Sequence, residues 1–122
     1  MKEALFINSQ EKTITKVQIN DLSDLQKLVG GYICLGTTLV KNNIENTVFV
    51  DDEGLLKGLD NFFFIKGSHQ PFAGNGVLIG TNEEGEDIDT NFTVEEISKL
   101  IVFLSAKEVL ELVSKGNKNE LF

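Results

Sequence analysis

The sequence predicts an α+β fold: a small mixed or mostly antiparallel sheet built from hairpins, with a short helix after the first hairpin and a C-terminal helical segment. Three observations carry this. Runs rich in apolar and β-branched residues come in pairs around short polar turns, the pattern of antiparallel hairpins. Between the first two pairs, apolar residues recur at helical spacing and stop at a double glycine. In the last third, two S/T-x-x-E segments precede apolar stripes, the sequence form of a helix N-terminus.

Each element follows in order. Leu5-Phe6-Ile7 is a short apolar run ended by Asn8-Ser9-Gln10, and Thr13, Thr15, Val17 and Ile19 then share one face of an alternating segment, with Lys16 and Gln18 on the other. These form the first hairpin. Asn20-Asp21-Leu22-Ser23 offers N-cap candidates for a helix of about two turns. Leu22, Leu25, Leu28 and Val29 supply its apolar face, and Gly30-Gly31 ends it with a residue free to adopt the left-handed conformation. Tyr32 to Val40 reads as a strand, Lys41-Asn42-Asn43 as a turn and Thr47 to Val50 as the returning strand. Asp51-Asp52-Glu53-Gly54 closes it, and Leu55 to Leu59 forms one helical turn or a tight loop.

Phe62 to Ile65 is apolar at every position, as a strand covered on both faces would be. Lys66 to Gly76, with the single proline Pro71 and three glycines, reads as a loop, and Val77-Leu78-Ile79 as a short buried strand. Thr93-Val94-Glu95-Glu96 opens a helix whose stripe is Val94, Ile97, Leu100, Ile101 and Leu104. Ser105-Ala106-Lys107-Glu108 repeats the spacing before Val109, Leu112 and Val113, so either one helix kinks there or two join tightly. The polar tail from Ser114 is expected to fray, with Leu121 and Phe122 as the residues able to dock.

A chain of 122 residues suits a single domain over 1–122, because two cores of about 60 residues would each be marginal. All 11 basic residues are lysines against 19 acidic ones, a formal charge of −8. Nucleic-acid binding needs a positive footprint, and without arginine there is no guanidinium fork for guanine or phosphate. No nucleic-acid partner is expected. The lone Cys34 excludes an intramolecular disulfide and reads as a small buried hydrophobe in a reducing compartment. The N-terminus lacks the apolar stretch of a signal peptide. The longest apolar runs, Phe62–Ile65 and Leu100–Leu104, fall far short of the roughly 20 residues of a membrane span. The expectation is a soluble, cytoplasmic protein with no membrane contact.

Candidate chemistry lies in the loops. Ser68 and His69, in Gly67-Ser68-His69-Gln70-Pro71, include the single histidine, which excludes a two-histidine metal site; no G-x-S-x-G elbow accompanies the serine. Asn75 and Gly76 expose backbone N–H groups suited to an anion, and Thr81 and Asn82 follow the glycine of a second turn. These six residues are the ligand-binding candidates. Glu83 to Asp89 holds five carboxylates, of which Glu86, Asp87 and Asp89 are the candidates for a hard cation, although the spacing is not that of a calcium loop. Asp51 and Asp52 form a second acidic turn. No phosphate-loop or dinucleotide motif is present, and no cofactor is expected.

Four segments, in order, carry a family resemblance: Asp24-Leu25-Gln26-Lys27-Leu28-Val29-Gly30-Gly31-Tyr32-Ile33, Val50-Asp51-Asp52-Glu53-Gly54-Leu55-Leu56-Lys57-Gly58-Leu59, Gly76-Val77-Leu78-Ile79-Gly80 and Glu84-Gly85-Glu86-Asp87. The first two are the specific ones. The chain resembles the domain of unknown function 3846 family of bacteria, phages and plasmids over residues 1–98, with a helical C-terminal extension over 99–122. It departs from that pattern at Asp60-Asn61-Phe62-Phe63-Phe64. The resemblance implies a small accessory protein of mobile elements and brings no catalytic residues.

Two functions are therefore expected to compete. The leading one is a small, acidic, non-enzymatic binding or interaction protein, an inhibitor, adaptor or small-ligand sequesterer, whose partner is a protein or small molecule. The alternative is a metal-assisted hydrolase in which Asp51, Asp52, Glu86, Asp87 and Asp89 converge around a polarised water. A homo-oligomer sealed by Phe62–Phe64 or Leu121-Phe122 is a separate expectation.

Overall fold

Period-two alternation at the N-terminus builds a regular hairpin: β1 (Lys2–Asn8) and β2 (Thr13–Ile19) pair from Lys2↔Ile19 to Asn8↔Thr13. Helix α1 (Leu22–Val29) follows, capped by Asp21, whose side chain accepts from the Asp24 N–H, and ended by Gly30 at φ 89°. A second hairpin, β3 (Ile33–Lys41) and β4 (Ile44–Asp51), turns through Asn42 and Asn43. Both asparagines have positive φ (51° and 66°), the twist that a two-residue hairpin turn requires. The structure, a computed structural model, describes residues 1–116.

The two hairpins are joined by β7 (Gly76–Thr81), giving an antiparallel sheet in the order β2-β1-β7-β4-β3. One edge of β7 meets β4; the other meets β1 over Gly76–Leu78 and then β8 (Asp87–Ile88) at Gly80 and Thr81. Gly76 to Gly80 are all buried, as expected of a strand covered on both faces. Val77 and Ile79 pack with Ala4, Ile19, Leu25 and Val29 beneath α1. Leu78 faces the opposite core with Leu5, Ile7, Val48 and Val50.

That second core is closed by a smaller antiparallel sheet, β6 (Phe72–Ala73), β5 (Asn61–Ile65) and β9 (Ile101–Ser105), together with α2 (Val94–Ser98). Phe63 and Ile65 of β5 and Phe72 of β6 enter it, with the Phe63 and Phe72 rings 5.4 Å apart. Helix α3 (Ala106–Gly116) packs on β9 and β5. The mostly antiparallel α+β architecture is the one the sequence predicts.

Two local expectations are corrected. The Lys66–Gly76 segment is not wholly a loop, because Phe72-Ala73 pairs with Phe62-Phe63. The helical stripe does not continue to Leu104. Helix α2 stops at Ser98, and Ile101–Ser105 is a strand in register with Ile65–Asn61. Ile101, Val102 and Phe103 are residues that favour strands, and docking on β5 satisfies their backbone while burying alternate side chains. Both N-terminal boxes are real: Thr93 and Glu96 bond reciprocally, as do Ser105 and Glu108. A strand separates the helices they start, so residues 99–122 are not a purely helical extension. Leu121 and Phe122 lie outside the described residues. Among those described, no helix is long and apolar enough to cross a membrane.

Candidate functional site

The strand β4 ends at Asp51, whose side chain is only 3 % exposed and pairs with the Lys57 ammonium at 2.5 Å. Its other oxygen accepts the Glu53 N–H, at 2.9 Å, which tightens the turn into a 3₁₀ segment, Gly54–Lys57. Lys57 also donates to the Gly30 carbonyl at the C-terminus of α1 (2.9 Å), where a cation complements the helix dipole. A Cβ on Gly31 would lie 2.9 Å from the Lys57 Nζ and 3.0 Å from Asp51 Oδ1, so a side chain there would displace the ion pair. This corner fixes the 3₁₀ turn beside β3.

Fixing the turn creates a groove. A bulge between Leu35 and Thr37 leaves Gly36 unpaired, and a Cβ there would meet Val50 and the Phe72 ring at 3.1 and 3.2 Å. Cys34, Leu35 and Gly36 form one wall of a cleft of about 340 Å³; Leu55 and Leu56 form the other, with Gln70 to Phe72 at its end. Three of these leucines are uncovered: Leu35 is 61 %, Leu55 70 % and Leu56 84 % exposed. Asp52 lines the same cleft. Partial burial, then the neighbouring Asp52 carboxylate, pushes the Cys34 thiol above its ordinary range, which keeps it protonated and unreactive at neutral pH. The groove is thus largely apolar, with the carboxylates of Asp51 and Asp52 and no basic side chain in its lining.

The predicted loop residues divide differently. The Ser68 hydroxyl is buried and donates to the Ile65 carbonyl at 2.7 Å, a local turn bond. His69 is exposed beside Gln70, at the margin of the groove. Asn75 Oδ1 accepts the Ser9 N–H at 2.9 Å, locking the first hairpin to the start of β7. Gly76 lies against Phe63 with no room for a side chain. Thr81 and Asn82 border a separate cleft of about 370 Å³ with Glu45 and Glu83, at the far end of β7. The Lys66–Gly76 segment and the acidic turn therefore share no concavity.

The acidic turn is organised by Asn82. Its Oδ1 accepts the N–H groups of Glu84 and Glu86, its Nδ2 donates to Glu86 Oε1, and Gly85 supplies the positive φ. Asp89 accepts the Glu3 N–H at 2.8 Å, and Asp87 is exposed. Asp51 lies near the Gly76 end of the sheet and Asp87 pairs with Thr81, about 17 Å away along β7 at strand rise. The five carboxylates do not converge, and among the described residues no three His, Cys, Asp or Glu side chains gather to hold a metal ion.

The residues missed by the sequence reading are Leu55 and Leu56. Their signal is two adjacent leucines between Gly54 and Gly58: a single turn cannot bury both against one core.

A family model described as domain of unknown function (DUF3846) matches residues 1–101. The chain belongs to the DUF3846 family. No curated protein and no solved structure matches it. Two segments inside the DUF3846 match, around Gly30-Gly31 and Asp51–Leu59, meet in space through Lys57, and both reach the groove or its supporting corner. The DUF3846 match runs through Phe62–Ile65 and ends at the first residue of β9.

Proposed function

We propose that this DUF3846 protein is a non-catalytic interaction module that holds a segment of a partner protein in the groove between β3 and the Gly54–Lys57 turn. The observation that carries this reading is the exposure of Leu35, Leu55 and Leu56 around one cleft, held open by the Asp51–Lys57 pair. Scattered exposed leucines mean little, but clustered ones around a concavity mark a contact surface. Charge selects the occupant: Asp52 in the cleft, exposed Glu53 beside it and a net −8 favour an apolar side chain flanked by lysine or arginine. In the mobile-element setting that the family resemblance implies, such a module acts as an inhibitor or adaptor of a host protein.

The test is an NMR titration of the full chain with an amidated Lys-Leu-Lys peptide, using Glu-Leu-Glu as the charge-reversed control. The lysine peptide is expected to shift Cys34, Leu35, Gly36, Leu55 and Leu56 amides, and the Leu55→Ser/Leu56→Ser variant to lose the response. Shifts centred elsewhere, or equal shifts with both peptides, refute the reading.

A further inference from the structure

The outer edge of β3 is the longest unpaired strand edge among the described residues, guarded only by the bulge at Gly36 and the terminal Lys41. From Ile33 to Val40 there is no charge and no proline; Lys41 comes only at the end. Exposed edges are ordinarily protected by lysines, prolines, shortness or cover, because their free N–H and C=O groups template further pairing. On the helix-side face of this edge, Leu35 and Val40 are 61 % and 63 % exposed. The bulge at Gly36 puts them on the same face, opposite Phe49 and Glu45 of β4.

This edge is complementary to itself. An antiparallel second copy with its two-fold axis at Thr38 sets Thr38 against Thr38 and Thr37 against Leu39. The bulge absorbs Gly36, so Leu35 of one copy faces Val40 of the other, twice. The only charge on the strand, Lys41, then lies opposite Cys34, with its ammonium already held by Glu96 and the Asn91 carbonyl of its own chain. The facing pairs nearest the axis, Thr38 with Thr38, Thr37 with Leu39 and Leu35 with Val40, are apolar or hydroxylic and bring no like charges together, although each chain carries −8. We infer that β3 is a homodimer seam: two copies of this chain pair β3 with β3, antiparallel about Thr38, into one continuous sheet. The seam uses Leu35, which also lines the groove, and leaves Leu55 and Leu56 free, so sedimentation tests the seam and the Leu55→Ser/Leu56→Ser titration tests the groove.

Sedimentation of the full chain at high micromolar concentration is expected to give twice the single-chain mass. Thr38→Lys places two ammonium groups face to face at the axis and returns the mass to that of one chain, with circular dichroism unchanged at this exposed position. Facing residues in an antiparallel pair have Cα atoms about 5 Å apart, within disulfide reach. Thr38→Cys in a Cys34→Ser background is therefore expected to cross-link into a dimer under mild oxidation. A single-chain mass at every concentration overturns the inference. So does a dimer that survives Thr38→Lys and yields no Thr38→Cys cross-link.

Discussion

The hydroxyl of Thr90 donates to Asn46 Oδ1 at 2.6 Å, joining the chain just after β8 to the middle of the β3–β4 hairpin. Asn46 is wholly buried, and its amide nitrogen bonds Asn91 Oδ1 at 2.8 Å and the Ile44 carbonyl at 3.3 Å. Asn91 in turn donates to the Lys41 carbonyl. A polar side chain at 0 % exposure is tolerable here because each of its atoms is used, and the network pins the connection between β8 and α2 across the face of the sheet.

Asn46→Ala leaves the Thr90 O–H without its acceptor and Asn91 Oδ1 without its donor, so it is expected to cost about 3 kcal/mol of unfolding free energy. Thr90→Val keeps the shape but removes that bond and the one its oxygen accepts from the Phe92 N–H, costing about 2 kcal/mol. Urea denaturation of the two variants checks the order. Equal effects would show that shape rather than hydrogen bonding holds this junction.

Gly76 tests the packing between layers. A Cβ there would come within 2.6 Å of the Phe63 ring, which is itself fully buried. Gly76→Ala is expected to destabilise by about 2 kcal/mol through overpacking. Phe63→Leu makes space at its own cost, so the double variant should lose less than the sum of the singles, a coupling read directly from a double-mutant cycle. At Gly80 the obstacle is the Asp89 carbonyl at 2.5 Å, so no side-chain truncation relieves Gly80→Ala.

Acid weakens the start of α2 with a defined sign. The hydrogen bond from Lys41, then that from the Thr93 N–H, holds the Glu96 carboxyl below its ordinary range. Its contribution is fully present above the unfolded carboxylate value. As pH falls the unfolded chain takes up the proton first, and the contribution is gone below the folded value. Glu96→Gln should flatten the acid limb of the stability–pH curve. An unchanged slope in that variant would assign the acid sensitivity to other carboxylates, Glu108 being held low in the same sense by its bonds to Ser105.

The corner that supports the groove is asymmetric. Lys57→Met leaves the Asp51 carboxylate buried without its cation and is expected to cost about 3 kcal/mol, whereas Asp51→Asn leaves a lysine already 36 % exposed that can turn to water, costing about 1 kcal/mol. Chemical denaturation gives the ranking. Lys57→Met should also loosen the 3₁₀ turn, read as faster amide exchange at Leu56, whose N–H donates to the Glu53 carbonyl.

What could be read from the sequence was what is written locally. The hairpins, the Asp21 and Gly30 ends of α1, and the Thr93 and Ser105 boxes depend on neighbours within a few residues, and the sequence places them correctly. Strand β9 was hidden because Ile97, Leu100, Ile101 and Leu104 fit a helical period by coincidence, while their partner strand lies some forty residues earlier in the chain. Strand β6 is two residues between Pro71 and Gly74, too short to show any period. The groove was hidden for a related reason. Ser68 and Asn75 are polar residues in turns that serve the fold, whereas the groove exists only once a glycine bulge, a buried ion pair and a turn from three distant segments come together.

Strand β7 has a consequence for how the protein is made. The hairpins β1–β2 and β3–β4 are local and can form while the chain is still on the ribosome, but each is half a sheet with an open edge facing the other's. Only Gly76–Thr81 bridges them. Translation at about 5–20 residues per second leaves several seconds between completion of the first hairpin and arrival of that strand. During this interval the nascent chain holds two unsatisfied inner edges, and a chaperone that covers strand edges has its greatest effect there.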